Sequence, residues 1–229
     1  MVNHVQKNLN FSATVEKGPV SAVLNLPENA TALLILAHGA GASMLHHHME
    51  SITAALARNK IATFRFNFPY MEAGGKRTDS MAVCVQTFSN AVASLDKTAV
   101  KLPLFIGGHS FGGRMSSHFM AQEIPVRVCR GLIYFSFPLH PSKKPNIKRA
   151  DHLADIKTPM LFLSGTRDTL AESELLEQVT RNIPQAKIHW LETADHGFKI
   201  LKRTRESTED VYDEAARVAA TFIEEHVHY

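Results

Sequence analysis

With 229 residues, of which 45% are hydrophobic and 21% charged, the chain has the make-up of one globular α/β domain rather than of a disordered or fibrous protein. A net charge of +3 over that length does not argue for nucleic acid, and the longest apolar run, around Ala32 to Ala37, is too short to cross a bilayer. The two cysteines, Cys84 and Cys129, have no metal-ligand spacing; they speak against a disulfide framework and fit a reducing compartment.

Met1 to Asn10 carries no apolar secretory core, so a cytoplasmic protein is expected. Phe11–Val15 and Val20–Leu24, separated by Glu16-Lys17-Gly18-Pro19, predict an antiparallel hairpin. Ala32–Ala37 predicts a strand buried on both faces, ending in the loop His38-Gly39-Ala40-Gly41-Ala42. A helix is expected over about His46 to Arg58 and a strand over Ile61–Phe66. A long loop from Asn67 to Arg77 follows, then a helix capped by Asp79 or Ser80 and running to about Asp96. Leu102–Gly107 predicts a strand, Arg114–Glu123 a helix and Gly131–Ser136 another strand. An irregular stretch from Phe137 to about Ala150 is the one candidate for a small lid. A strand over Pro159–Ser164, a helix over Glu172–Asn182, a strand over Lys187–Leu191 and a closing helix over Glu209–Glu225 complete the chain. A hairpin followed by six strands, most of them separated by helices, predicts a mainly parallel sheet with helices on both faces. Ligands of such sheets bind beyond the carboxyl ends of the strands.

Gly108-His109-Ser110-Phe111-Gly112 lies between a predicted strand and a predicted helix. As a bare pattern G-x-S-x-G is unspecific; in this context it has the form of a nucleophile elbow. There a strained turn lifts the serine hydroxyl clear of the sheet, and small neighbours let strand and helix pass closely. The other chemistry also falls after strands: Asp168 in Gly165-Thr166-Arg167-Asp168, and His196 in Thr193-Ala194-Asp195-His196-Gly197. A serine hydroxyl needs an imidazole to take its proton, and the imidazole needs a carboxylate to fix its tautomer. Ser110, His196 and Asp168 fill those roles. Asp195 is the weaker acid candidate, because a side chain adjacent to the histidine aligns poorly with its ring. Asp155 precedes its strand, and His189 lies inside one. His109 is expected to pack beside the turn.

An oxyanion hole needs two N–H donors. Phe111, directly after Ser110, is expected to supply one and Ala40 the other, with Gly41 as the alternative donor and a substrate-facing residue. Tyr70, Met71, Phe137, Leu139 and His140 are expected to line the pocket rim. His46, His47 and His48 invite a metal, but consecutive helical residues point about 100° apart and do not converge on one ion. Solvated or rim histidines are expected, with no metal and no cofactor; neither GxxxxGK[ST] nor GxGxxG occurs. The basic run Lys143, Lys144, Lys148 and Arg149 reads as a solvated loop in preference to a phosphate patch.

These residues resemble the α/β-hydrolase superfamily. Within it they are similar to a family of predicted hydrolases that includes testis-expressed hydrolase-like proteins and the hydrolase-like part of an NSL-complex subunit, with dienelactone hydrolases as more distant look-alikes. The resemblance spans about Ala32 to Lys199. Its carriers are His38–Gly41, Arg65-Phe66-Asn67-Phe68-Pro69-Tyr70, the elbow with Gly113-Arg114-Met115, Phe137-Pro138-Leu139-His140-Pro141, Gly165–Asp168 and Ala194–Phe198. It implies a single α/β-hydrolase domain of about eight strands with little or no cap, and Ser110, Asp168 and His196 as its triad. The expected activity is a serine hydrolase acting on an ester or thioester through an acyl-enzyme, with a small acyl molecule as partner and no nucleic acid or membrane. The rivals are a non-catalytic interaction module of the same fold and an amidase or peptidase with the same triad. No residue pattern speaks to oligomeric state.

Overall fold

The structure is a computed structural model that describes residues 4–98, 100–122 and 129–227. Its centre is an eight-stranded sheet. Strands β1 (His4–Thr14) and β2 (Gly18–Pro27) form the antiparallel hairpin; β1 starts well before the expected Phe11 and ends one residue before Val15, and β2 is longer at both ends than the alternation suggests. Then come β3 (Ala32–Ala37), β4 (Ile61–Phe66), β5 (Leu104–His109), β6 (Cys129–Phe135), β7 (Met160–Gly165) and β8 (Ala186–Leu191). The spatial order is β1-β2-β4-β3-β5-β6-β7-β8; β2 meets β4 antiparallel and all later pairs are parallel.

The continuous apolar run of β3 is explained by two cores. Leu33, Ile35 and Ala37 face one, and Ala32, Leu34 and Leu36 face the other. Successive side chains point to opposite faces, and both faces are covered. Helices α1 (His47–Arg58) and α6 (Val211–His226) cover one face, through Met49, Ile52 and Leu56 and through Ala215, Ala219 and Phe222. Helices α3 (Met81–Leu95), α4 (Phe111–Met120) and α5 (Ser173–Thr180) cover the other, through Phe88, Met115, Phe119 and Leu176.

The differences from the sequence reading are local. Helix α4 begins at Phe111, not Arg114, because the turn at Ser110 passes directly into the helix; its predicted end at Glu123 lies outside the described residues. The expected loop 67–77 opens with a short helix, α2 (Pro69–Glu72), with proline at its first position, where no amide is needed. The stretch 137–150 leads into a 3-10 segment, Lys148–Asp155. Among the described residues no helix is long and apolar enough to cross a membrane.

Candidate active site

Ser110 sits between β5 and α4 with φ 51° and ψ −115°, in a region that non-glycine residues seldom occupy. Such a conformation costs on the order of 1–3 kcal/mol and persists only where its surroundings enforce it. The glycines of the motif are part of that enforcement. A Cβ on Gly112 would lie 2.3 Å from the Ala37 carbonyl oxygen, and one on Gly108 2.6 Å from the same atom. No side chain fits where β3, β5 and α4 approach so closely.

Asp168 follows β7 and His196 follows β8, and the three side chains meet. The His196 Nδ1–H donates to Asp168 Oδ2 at 2.8 Å, which leaves Nε2 to accept from the Ser110 hydroxyl at 2.7 Å. The other oxygen of Asp168 accepts from the Leu170 amide at 2.8 Å, and the residue is 3% exposed. Asp195 is committed elsewhere: its Oδ1 accepts from the amides of Gly197 and Lys199, shaping the loop that presents His196. His189 pairs with Glu214 at 2.8 Å and takes no part.

His109 braces that loop. Its Nε2–H donates to the His196 carbonyl at 3.0 Å, and a Cβ on Gly39 would come within 3.0 Å of its Nδ1. Burial, first, and the neighbouring His48 and His196 push its pKa well below the ordinary value. His48 continues the row, its ring 4.2 Å from that of His109 and its Nδ1 2.9 Å from the Tyr212 hydroxyl. The expectation of three solvated or rim histidines therefore needs correction. His46 and His47 are exposed, with His46 capping α1 by accepting from the His48 amide, whereas His48 is buried and its pKa falls to about 4, mainly through burial.

Across from His196 lies the loop after β3. Ala40 and Gly41 are exposed at the same edge as the amide of Phe111, which opens α4 and has no intrahelical acceptor. The loop is held from behind by the segment Arg65–Tyr70. The Phe68 amide donates to His38 Nε2 at 3.0 Å, so His38 carries its proton on Nδ1 and donates it to the Gly39 carbonyl at 2.8 Å. Burial lowers its pKa to about 4, so the ring is neutral. The Tyr70 hydroxyl donates to the Ala40 carbonyl at 2.8 Å. Further along, Met44 is gripped twice: its amide donates to Asn67 Oδ1 at 2.9 Å and its carbonyl accepts from Arg65 Nη1 at 2.8 Å. Arg65, 1% exposed, also pairs with Glu50 of α1.

This placement corrects the expected pocket rim. Tyr70 is 5% exposed and spends its hydroxyl on the loop. Phe137, Leu139 and His140 are each 0% exposed. The ring of Phe137 packs on Tyr134 and Phe162 in the core. Leu139 donates its amide to the Leu170 carbonyl at 2.8 Å, and His140 directs its Nδ1 to the Pro141 carbonyl at 2.9 Å and its Nε2 to Glu172. These contacts tie the segment after β6 to the loop that carries Asp168. Only Gly41 and Met71 of the expected rim keep appreciable exposed surface. The roles of His38, Arg65 and Asn67 escaped the sequence reading; the segment 65–70 was conspicuous, but its partners lie far away in the chain.

A wide groove of about 990 Å³ opens at the other end of the strands, lined by Leu26–Ala30, Lys97, Thr98 and Val100–Leu102 among others, and shares no residue with the Ser110 edge. The contacts of Ser110, His196 and Asp168 lie at the carboxyl edge. A family model described as alpha/beta hydrolase domain matches residues 30–224. The chain belongs to this alpha/beta hydrolase family. Among solved structures it is similar to a dienelactone hydrolase from Anabaena variabilis, at 16% identity, covering 98% of this chain and 99% of that one with a TM-score of 0.75. It is also similar to the esterase domain of a Rhodothermus marinus protein, at 17% identity over 97% and 99% of the two chains with a TM-score of 0.71. A third is an α/β serine hydrolase without lid from Xanthomonas campestris, at 18% identity over 96% and 94% with a TM-score of 0.70. At these identities the likeness is one of fold.

Proposed function

We propose that the chain is a serine hydrolase of ester or thioester bonds. The observation that carries this is the unbroken line from Ser110 through His196 to Asp168, with contacts of 2.7 and 2.8 Å, set at a strained elbow. Ser110 Oγ attacks the acyl carbon while its proton passes to His196 Nε2. The charge that develops on the substrate oxygen is met by the amides of Phe111 and Ala40. His196 then hands its proton to the leaving oxygen or sulfur. Water, deprotonated by the same nitrogen, releases the acid from Ser110. Asp168 holds the imidazole in the tautomer that both steps need and stabilises its charged form. The same machinery serves amides, and a panel of esters, thioesters and aminoacyl amides ranks the three.

The test is labelling with a fluorophosphonate probe. Wild-type protein is expected to label and Ser110→Ala to stay blank. Equal labelling of both, or of neither, sinks the proposal and leaves an interaction module of hydrolase fold as the better account.

A further inference from the structure

Four basic side chains, with no acid among them, meet where α4 packs against the 3-10 segment Lys148–Asp155. Arg114 lies one turn beyond Ser110 on α4. Its Nε is shut off from solvent and has no hydrogen-bond partner. Among the described residues neither Arg114 nor Arg149, which is also half-buried, forms an ion pair. The contrast with the buried Arg65 and Arg205 is informative: Arg65 has Glu50, and Arg205 has Glu214. Burial, first, and the Arg149 charge lower the pKa of Arg114. A guanidinium group half out of water with no acid to pair with costs free energy that an anion would offset.

The floor beneath them is built and uncharged. His118 and His152 stack with ring centroids 3.7 Å apart and planes 18° from parallel. Ser117 donates its hydroxyl proton to the Arg114 carbonyl at 2.7 Å, so His152 Nε2–H donates to Ser117 Oγ at 2.7 Å. Burial, followed by His118 and then Arg114, takes the pKa of His152 to about 4, and burial and Arg114 also depress His118. Both rings are neutral at neutral pH and add no competing charge.

The cluster is tied to the nucleophile through α4, which starts directly after Ser110 and carries Arg114 in its second turn. A rise of about 1.5 Å per helical residue puts Arg114 about 6 Å along the α4 axis from Ser110. The 3-10 segment lies between the carboxyl end of β6 and the start of β7, and Arg149 is its second residue. Both arginines keep some exposed surface. Lys143, Lys144 and Lys148 of the same basic run are exposed, as a solvated loop requires; Arg149 alone turns inward.

We propose that Arg114 and Arg149 form an anion subsite that takes a carboxylate carried by the substrate, so that the esters cleaved at Ser110 are anionic. The substrate assignment rests on the hydrolase reading; the subsite itself does not. Two measurements separate them. The first is calorimetric titration of wild type, Arg114→Gln and Arg149→Gln with glutarate and with inorganic phosphate. Glutarate is expected to bind wild type and to bind each variant at least about tenfold more weakly. The second compares kcat/KM for mono-4-nitrophenyl glutarate against 4-nitrophenyl butyrate, and for 4-carboxyphenyl butyrate against phenyl butyrate. In at least one pair wild type is expected to favour the anionic ester about tenfold or more, and either substitution to erase most of that preference. Arg149→Gln, at the more open position, serves if Arg114→Gln does not fold, with thermal unfolding as the check. Anions that bind wild type and both variants alike, or do not bind at all, overturn the subsite. Phosphate or glutarate binding lost in the variants, without any preference for anionic esters, overturns the substrate assignment. If no ester is turned over yet glutarate still needs the two arginines, the hydrolase reading fails and the subsite stands.

Discussion

The two flanks of Ser110 are built from different material. On the His196 flank the proposed working groups are side chains, and each touches the next: hydroxyl, imidazole, carboxylate. On the Ala40 flank the groups proposed to meet the substrate are backbone amides. The side chains there, His38, Tyr70, Asn67 and Arg65, stand behind the loop and hold its carbonyls and turns. A side-chain flank fails abruptly when one member is removed. A backbone flank cannot be deleted by substitution; it can only be loosened, so its losses are graded.

The largest expected effects test the first half of this contrast. Ser110→Ala and His196→Ala are each expected to lower ester kcat by at least about a thousandfold, and the double substitution to be little worse than either single one, because the two act as a unit. Steady-state and burst kinetics on 4-nitrophenyl butyrate read this. Losses that multiply in the double variant would mean that Ser110 and His196 act separately.

The next effect is on stability, and it belongs to the Ala40 flank. His38 is 0% exposed and is neutral in the fold, with a pKa near 4 against a usual 6.5. Above pH 6.5 the ring is neutral in the folded and unfolded chain alike. As pH falls below that value the unfolded chain gains a proton that the folded chain refuses, so stability drops, and the loss levels off near pH 4 at about 3 kcal/mol. His48 and His152 share the window. Urea unfolding at pH 7 and pH 4.5 is expected to show a smaller acid loss for His38→Asn than for wild type. An equal loss would place the proton sensitivity elsewhere and remove His38 from the scaffold of the loop.

The contrast also explains what was legible in the sequence. The alternating strands and helices could be read because apolar runs such as Ala32–Ala37 and turn residues such as Gly74 and Gly75 are local signals. Ser110, Asp168 and His196 stood out because polar residues of the right chemistry recurred just after strands. The backing of the Ala40 loop did not stand out, because it depends on pairings such as Phe68 with His38 and Asn67 with Met44, thirty and twenty-three positions apart. Position near the edge suggested a rim role for Tyr70, Phe137, Leu139 and His140, but the side chains turn back into the body of the molecule. A strand end fixes where a residue is, not which way it faces. The short helix Pro69–Glu72 was missed because one turn carries too little periodicity to register.

Tyr70→Phe is the direct probe of a loosened backbone. It removes the hydroxyl that the Ala40 carbonyl accepts from at 2.8 Å and leaves the ring packed on Phe68 and Phe111. A hydrogen bond worth about 1 kcal/mol, felt only through the position of an amide, is expected to lower kcat roughly tenfold or less, with KM nearly unchanged. A loss confined to KM would put Tyr70 back on the pocket rim, where its sequence position first suggested it.

The smallest effect is expected from the far brace of the His196 flank. Glu172 receives His140, which ties the segment after β6 to the loop of Asp168, but the Glu172 side chain is 42% exposed. Backbone bonds from Leu139 and His140 to Leu170 hold the same junction without it. An exposed ion pair contributes little, about 0–1 kcal/mol, so Glu172→Gln is expected to lower kcat by no more than about threefold. Such a loss should appear equally across neutral and acidic pH, because Asp168 keeps its contact to His196. A change in the shape of the pH–rate profile would instead show that the side-chain flank, too, is set from behind, and that the two flanks differ less in construction than their first contacts suggest.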